Sequence, residues 1–149
     1  MRLEPLNFPK KSLLTVPTKL DALNQVLSWF DSNRQPLIPQ KDWLQCQLAL
    51  AEAFTNAVRH AHKGLSEDTP IDLEVLLYPT SIELRIWDCG APFDLENRIE
   101  TLDRQPNEHC GGGRGLILMD RIADRLSYRR VDEQRNCLVL VKTFEIENA

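Results

Sequence analysis

Apolar residues recur along the chain with two periods. Ile71, Leu73, Val75 and Leu77 alternate with other side chains, as do Ile82, Leu84 and Ile86. That is the period of a strand with one buried face. Pro79 and Thr80 separate the two runs, a gap short enough for a hairpin. Leu20, Leu23, Val26, Leu27 and Phe30 fall instead at helical spacing, with Thr18 placed to cap the first turn. Residues 42–62 read as a second, longer helix closed by Gly64. Leu116, Met119, Ile122, Ala123 and Leu126 predict a third helix over 115–128. KSLLTVPT reads as an opening strand that ends at Pro17, and NCLVLVKTFEI as a closing one. Residues 94–111 form a polar, irregular connection with room for one helical turn around LENRIETLD. The mixed charges of RRVDEQR, 129–135, suit a solvated hairpin or loop.

The predicted order is strand, helix, helix, strand, strand, lid-like connection, helix, strand. Helices combined with hairpin-connected strands give an α+β two-layer sandwich, a mixed β-sheet with helices on one face. The regular β-α-β alternation of a doubly wound parallel fold is absent. No repeat, linker or low-complexity tract divides the 149 residues. One domain over 1–149 is expected, with its core over about 12–146.

Composition narrows the partners. The 18 Lys and Arg against 22 Asp and Glu give a net charge of −4. That balance lacks the basic stripe of a nucleic-acid binder, so no direct nucleic-acid contact is expected. Cys46, Cys89, Cys110 and Cys137 form no C-x-x-C pair. Neither a zinc site nor a disulfide framework is indicated, and reduced thiols in a cytoplasm are expected. The start, MRLEPLNFPKKSLL, has no apolar signal-peptide core, and no apolar run approaches the ~20 residues of a membrane span.

Three stretches carry candidate chemistry. At about 100° per residue, with Glu52 at zero, Asn56 lies near 40°, Arg59 near −20° and His60 near 80°. Leu50, Phe54, Ala57, Val58 and Ala61 occupy the opposite face. Ala49 and Ala53 flank the polar stripe, and their small side chains would let another group approach the helix. Asn is a poor helix former, and a merely solvated face would hold Lys or Glu at lower cost. The second stretch is IWDCGAPFD, where Asp88 ends an alternating strand and Gly90 follows two residues later. A carboxylate there can accept a hydrogen bond from an exocyclic amine, and a glycine lets a flat ring lie against backbone. Taken alone, D-x-G is also a common turn. The third is GGGRGLILMD, a glycine-rich loop opening a helix whose N–H groups suit phosphate. It matches neither a P-loop nor a G-x-G-x-x-G fingerprint, and the signatures of ordinary protein kinases are missing. His109 and Cys110 adjoin these glycines, but two residues do not make a metal site.

The order and spacing say more than any one stretch. E-x-x-x-N-x-x-x-H (Glu52, Asn56, His60), D-x-G (Asp88, Gly90) and G-x-G-L (Gly113, Gly115, Leu116) resemble the three boxes of the GHKL ATP-binding superfamily, which has a histidine-kinase-like ATPase fold. NAVRHAH and GGRGLILMDRIAD are similar to the anti-sigma-factor serine/threonine kinases of bacterial partner-switching systems. The resemblance implies a domain that binds ATP and Mg²⁺, phosphorylates an anti-sigma-antagonist protein and sequesters a sigma factor. It implies that Asn56 ligates Mg²⁺ through its carboxamide oxygen, and that Glu52 orients or deprotonates the attacking hydroxyl. It gives Asp88 the adenine amino group and Gly90 the room for the ring. Gly113, Gly115 and the backbone of Leu116 would cradle phosphate. Arg59 and His60 would contact phosphates or hold the lid, and Arg114 would add charge. The 94–111 connection has no evident lysine for a γ-phosphate; Arg98 and Arg104 are the substitutes. Two further readings stay open: a regulatory module of the same fold that binds nucleotide without catalysis, and an ATPase or histidine-kinase fragment. The sequence allows a homodimer without specifying one.

Overall fold

The computed structural model describes residues 9–104 and 113–146. The chain runs β1 (Lys10–Pro17), α1 (Leu23–Asp31), α2 (Gln40–Asn56), β2 (Pro70–Tyr78), β3 (Ser81–Asp88), α3 (Leu95–Arg104), α4 (Gly113–Ile122), β4 (Arg125–Arg130) and β5 (Asn136–Thr143). The strands form one sheet in the order β1-β2-β3-β5-β4. Ile71, Leu73, Val75, Ile82, Leu84 and Ile86 are all buried against the helix layer, as their alternation requires. Opposite them, Phe30 of α1 stacks on Trp43 of α2 with ring centroids 4.1 Å apart. α2 packs on α1 and α4, and α3 packs on α4. The two-layer α+β sandwich of the sequence reading is therefore present.

The sheet is antiparallel at every pairing rather than mixed. The difference traces to one strand. The helix expected over 115–128 stops at Ile122, and Arg125–Arg130 is the edge strand β4. A single helical crossover between β3 and β5 would favour parallel strands. The β4 hairpin reverses the chain once more, so β5 enters antiparallel to β3. At the junction Asp124 N–H donates to Val141 O, and Asp124 Oδ2 accepts from Thr143 N–H and Oγ1. These bonds hold the end of α4 on the sheet and turn the chain into β4. Residues 131–135 form the expected hairpin turn, with Asp132 Oδ1 accepting from Gln134 and Arg135 N–H.

Two further expectations change. LENRIETLD is not a single turn but part of a ten-residue helix, α3. Thr18 caps no helix; a short 3-10 turn at Leu20–Ala22 precedes α1, and the Thr18 hydroxyl is engaged elsewhere. Gly64 does close the second helical run, at φ +86°, a conformation that glycine adopts without steric cost. Cys46, Cys89 and Cys137 are free thiols, and burial pushes Cys46 up to about 12. Among the described residues, no helix is long and apolar enough to cross a membrane.

Candidate functional site

α2 does not end as a regular helix. Ala57–Ala61 continues it as a π-helical turn, closed by a 2.9 Å bond from His62 N–H to Ala57 O. Such wide turns cost regular hydrogen bonding and cluster at functional sites. Here the wider turn changes the angular spacing of the residues after Asn56 from that of a regular helix. Glu52 and Asn56, on the regular part, keep their shared face. Arg59 does not: its side chain is exposed and lies outside the cavity described next.

That cavity, of about 480 Å³, opens between the end of α2, the β3 terminus, α3, α4 and the sheet. Asn56, His60, Asp88, Gly90 and Leu116 line it, together with Phe93, Arg98, Lys63 and Tyr128. Its walls are apolar where Ala53, Ile86, Met119 and Leu138 meet. Glu52 and Gly115 adjoin it through Asn56. A Cβ built on Gly115 would fall 2.6 Å from Glu52 Oε2 and 3.3 Å from Asn56 Nδ2. Gly113 begins α4, and Gly115 is a buried residue of its first turn, not part of a loop. Arg114, beside it, is exposed. His109, Cys110 and Gly111 lie outside the described residues.

Asp88 is 4% exposed, and both of its oxygens accept hydrogen bonds. Oδ1 accepts from Gly90 N–H and from Asn136 Nδ2, each at 2.9 Å. The Tyr128 hydroxyl lies 2.9 Å from Oδ2 and 3.1 Å from Oδ1. Asn136 also donates to Gly90 O, as does Arg130. Strand register produces this ring: Asp88 pairs with Asn136, and Asn136 with Arg130, across three adjacent strands. Burial, reinforced by the Asp88 charge, pushes the Tyr128 phenol well up, so it keeps its proton.

Gly90 is held from the helix side too. A Cβ there would overlap the Ala61 carbonyl oxygen, with the carbonyl carbon at 2.9 Å. Next to it, Cys89 N–H donates to His62 Nε2 at 2.8 Å. Nε2 is thus the acceptor, and the neutral ring carries its proton on Nδ1, 2.7 Å from Thr18 Oγ1. The Thr18 hydroxyl passes its own proton to Thr69 O at 2.6 Å. Burial lowers the His62 pKa, against the opposing pull of Asp88.

Sequence reasoning did not find Tyr128, Asn136, Lys63, Phe93 or His62. For Tyr128 a signal existed: Leu126 and Tyr128 alternate in RLSYRR, which is strand period. His62 shows no sequence signal beyond its nearness to His60.

The Asn56 side chain offers a test of metal fit. Its Nδ2 is buried and has no hydrogen-bond partner among the described residues. That nitrogen is a donor and cannot ligate a cation; a hard cation would be met by the carboxamide oxygen of the same side chain, one of the one or two protein oxygens such an ion takes before phosphate and water fill its shell. No group of three or more His, Cys, Asp or Glu able to hold a metal occurs among the described residues. A Mg²⁺ ion held mainly by phosphate and water needs no such group.

The described residues thus form an antiparallel sheet backed by helices, with a carboxylate at a strand end and a polar helix face lining one cavity. The chain belongs to the histidine kinase-like ATPase domain family, whose model matches residues 16–142. It is 37% identical over 83 residues to the serine-protein kinase RsbW of Listeria monocytogenes serovar 1/2a, covering 52% of each protein. It is 35% identical over 86 residues to the RsbW of Bacillus pumilus, covering 54% of this chain and 53% of the relative. It is 31% identical over 106 residues to that of Oceanobacillus iheyensis, covering 68% of this chain and 65% of the relative. The chain spans about half the length of the first of these curated relatives.

Proposed function

We propose that this chain is an ATP-dependent serine/threonine kinase that phosphorylates an anti-sigma-antagonist protein and also holds a sigma factor. The observation that carries the reading is the meeting of Glu52, Asn56 and Gly115 at the edge of the Asp88 cavity. A base placed at Asp88 would direct its phosphates toward the α4 N-terminus. Arg98 and Lys63 line that cavity and can neutralise phosphate charge.

Glu52 sits one helical turn before Asn56 and can accept the proton of a serine or threonine hydroxyl as that oxygen takes the γ-phosphoryl group from ATP, leaving ADP. Asn56 would hold Mg²⁺, which offsets charge on the phosphates. Phosphoryl transfer depends mostly on such positioning and neutralisation. The relatives' name, serine-protein kinase, supports the same chemistry. A cytoplasmic setting follows from those partners.

The test is radiolabel transfer from Mg·ATP to a purified antagonist protein, beside a pull-down of the sigma factor. Label on a serine or threonine of the antagonist is the expected result. Sigma-factor capture without any transfer would replace the kinase with a non-catalytic binding module.

A further inference from the structure

We propose that Tyr128 and Asp88 form a donor–acceptor pair that reads the amidine edge of adenine, the phenol hydroxyl serving N1 and the carboxylate serving the 6-amino group. The inference rests on the adenine-nucleotide reading above and adds a base-recognition residue to it.

Asp88 has little capacity to spare. Gly90 N–H and Asn136 Nδ2 use both lone pairs of Oδ1. Among the described residues, Oδ2 accepts from Tyr128 alone, at 2.9 Å. Both residues line the cavity, so a base bound there can meet the carboxylate and the hydroxyl together. The tyrosine cannot drift. Its backbone is fixed opposite Leu138 in the β4–β5 ladder, and its ring stacks on Phe93 with centroids 4.5 Å apart at 29°.

A phenol has one donor and two acceptor sites, and its O–H rotates. In the structure the O–H donates to Asp88. Beside a base it can turn to a ring nitrogen, which frees Oδ2 for an incoming N–H. One donor and one acceptor side by side match N1 and the 6-amino group of adenine. Guanine and hypoxanthine place a carbonyl oxygen where the amine should be, facing the carboxylate. A buried polar site that loses its partner rejects a ligand more strongly than an apolar pocket does.

The experiment measures Kd by calorimetry for Mg·ATP and for 1-deaza-ATP, in which C–H replaces N1. Wild type should bind 1-deaza-ATP about five- to tenfold more weakly, the effect of one neutral hydrogen bond. Tyr128→Phe keeps the ring and its stack on Phe93. It should lose about the same factor for ATP and bind the two nucleotides equally. Tyr128→Met provides a second variant without the hydroxyl, should the first not fold. Equal binding of both nucleotides by wild type overturns the inference, as does a wild-type ratio that persists in the variants. If wild type binds no ATP at all, the nucleotide reading itself falls. That outcome is distinct from ATP binding without dependence on N1.

Discussion

Gly115 lies against Glu52 so closely that a single added carbon would come within 2.6 Å of the carboxylate Oε2. The contact joins the first turn of α4 to the C-terminal part of α2. It places Gly115 beside the residue proposed to remove the proton.

Gly115→Ala should therefore act on chemistry more than on folding. Gly115 has no positive φ, so the backbone is not strained by a side chain. The obstacle is the end of a flexible glutamate, which can swing aside. The expected result is a melting temperature within a few degrees of wild type and a phosphoryl-transfer rate down about tenfold or more, from misplacement of the base. An unchanged rate would mean that the Glu52 position is not critical.

Gly90→Ala should behave in the opposite way. The group in its path is the Ala61 carbonyl, which is backbone in the π-helical turn and cannot swing. Overpacking of that kind costs about 1–3 kcal/mol, occasionally more. Urea unfolding should register the loss at equilibrium, together with weakened nucleotide binding.

Asp88→Asn changes the cavity while keeping its walls. The amide oxygen can stay with Gly90 N–H and Asn136 Nδ2, which turns the NH₂ toward Tyr128 and the ligand. A donor then faces the amino group of adenine. Loss of a hydrogen bond to a charged acceptor costs about 1.5–3 kcal/mol, so ATP affinity should fall at least tenfold by calorimetry.

Glu52→Gln separates binding from catalysis. The amide preserves shape and helix propensity but cannot take a proton. Mg·ATP should bind as well as in wild type, and the sigma factor should still be captured. Label transfer to the antagonist should drop at least a hundredfold, roughly the lower range for loss of a general base. Transfer at the wild-type rate would remove Glu52 from the mechanism.

His62 predicts a pH dependence of stability. Its folded pKa lies below the ordinary value of 6.5, so between those two values the unfolded chain binds the extra proton. Unfolding free energy should be unaffected by this group above about pH 6.5 and should decline as the pH falls below it. Protonation also removes the acceptor for Cys89 N–H, next to Asp88. Urea titrations from pH 7.5 to about 5 should show the decline, and His62→Gln should flatten it.

Local patterns determined much of this protein. The alternation in 71–78 and 81–88 specified β2 and β3 because one face of each must be buried. The spacing of Glu52 and Asn56 put both on one side of α2 because a regular helix turns by a fixed angle. Asp88 and Gly90 were legible as a carboxylate at a strand end and a small residue just past it. The antiparallel order of the sheet was not, since it depended on whether Arg125–Arg130 continued a helix or joined β5. Its sequence carries both periods, and only the ladder to β5 decides between them. Arg59 left the stripe because of a π turn, a wide helical geometry that the sequence does not announce. The ring of Tyr128, Asn136 and His62 around the Asp88–Gly90 turn comes from segments 26 to 48 residues away. No local signal can report such partners, because strand register and helix packing bring them together only when the core closes.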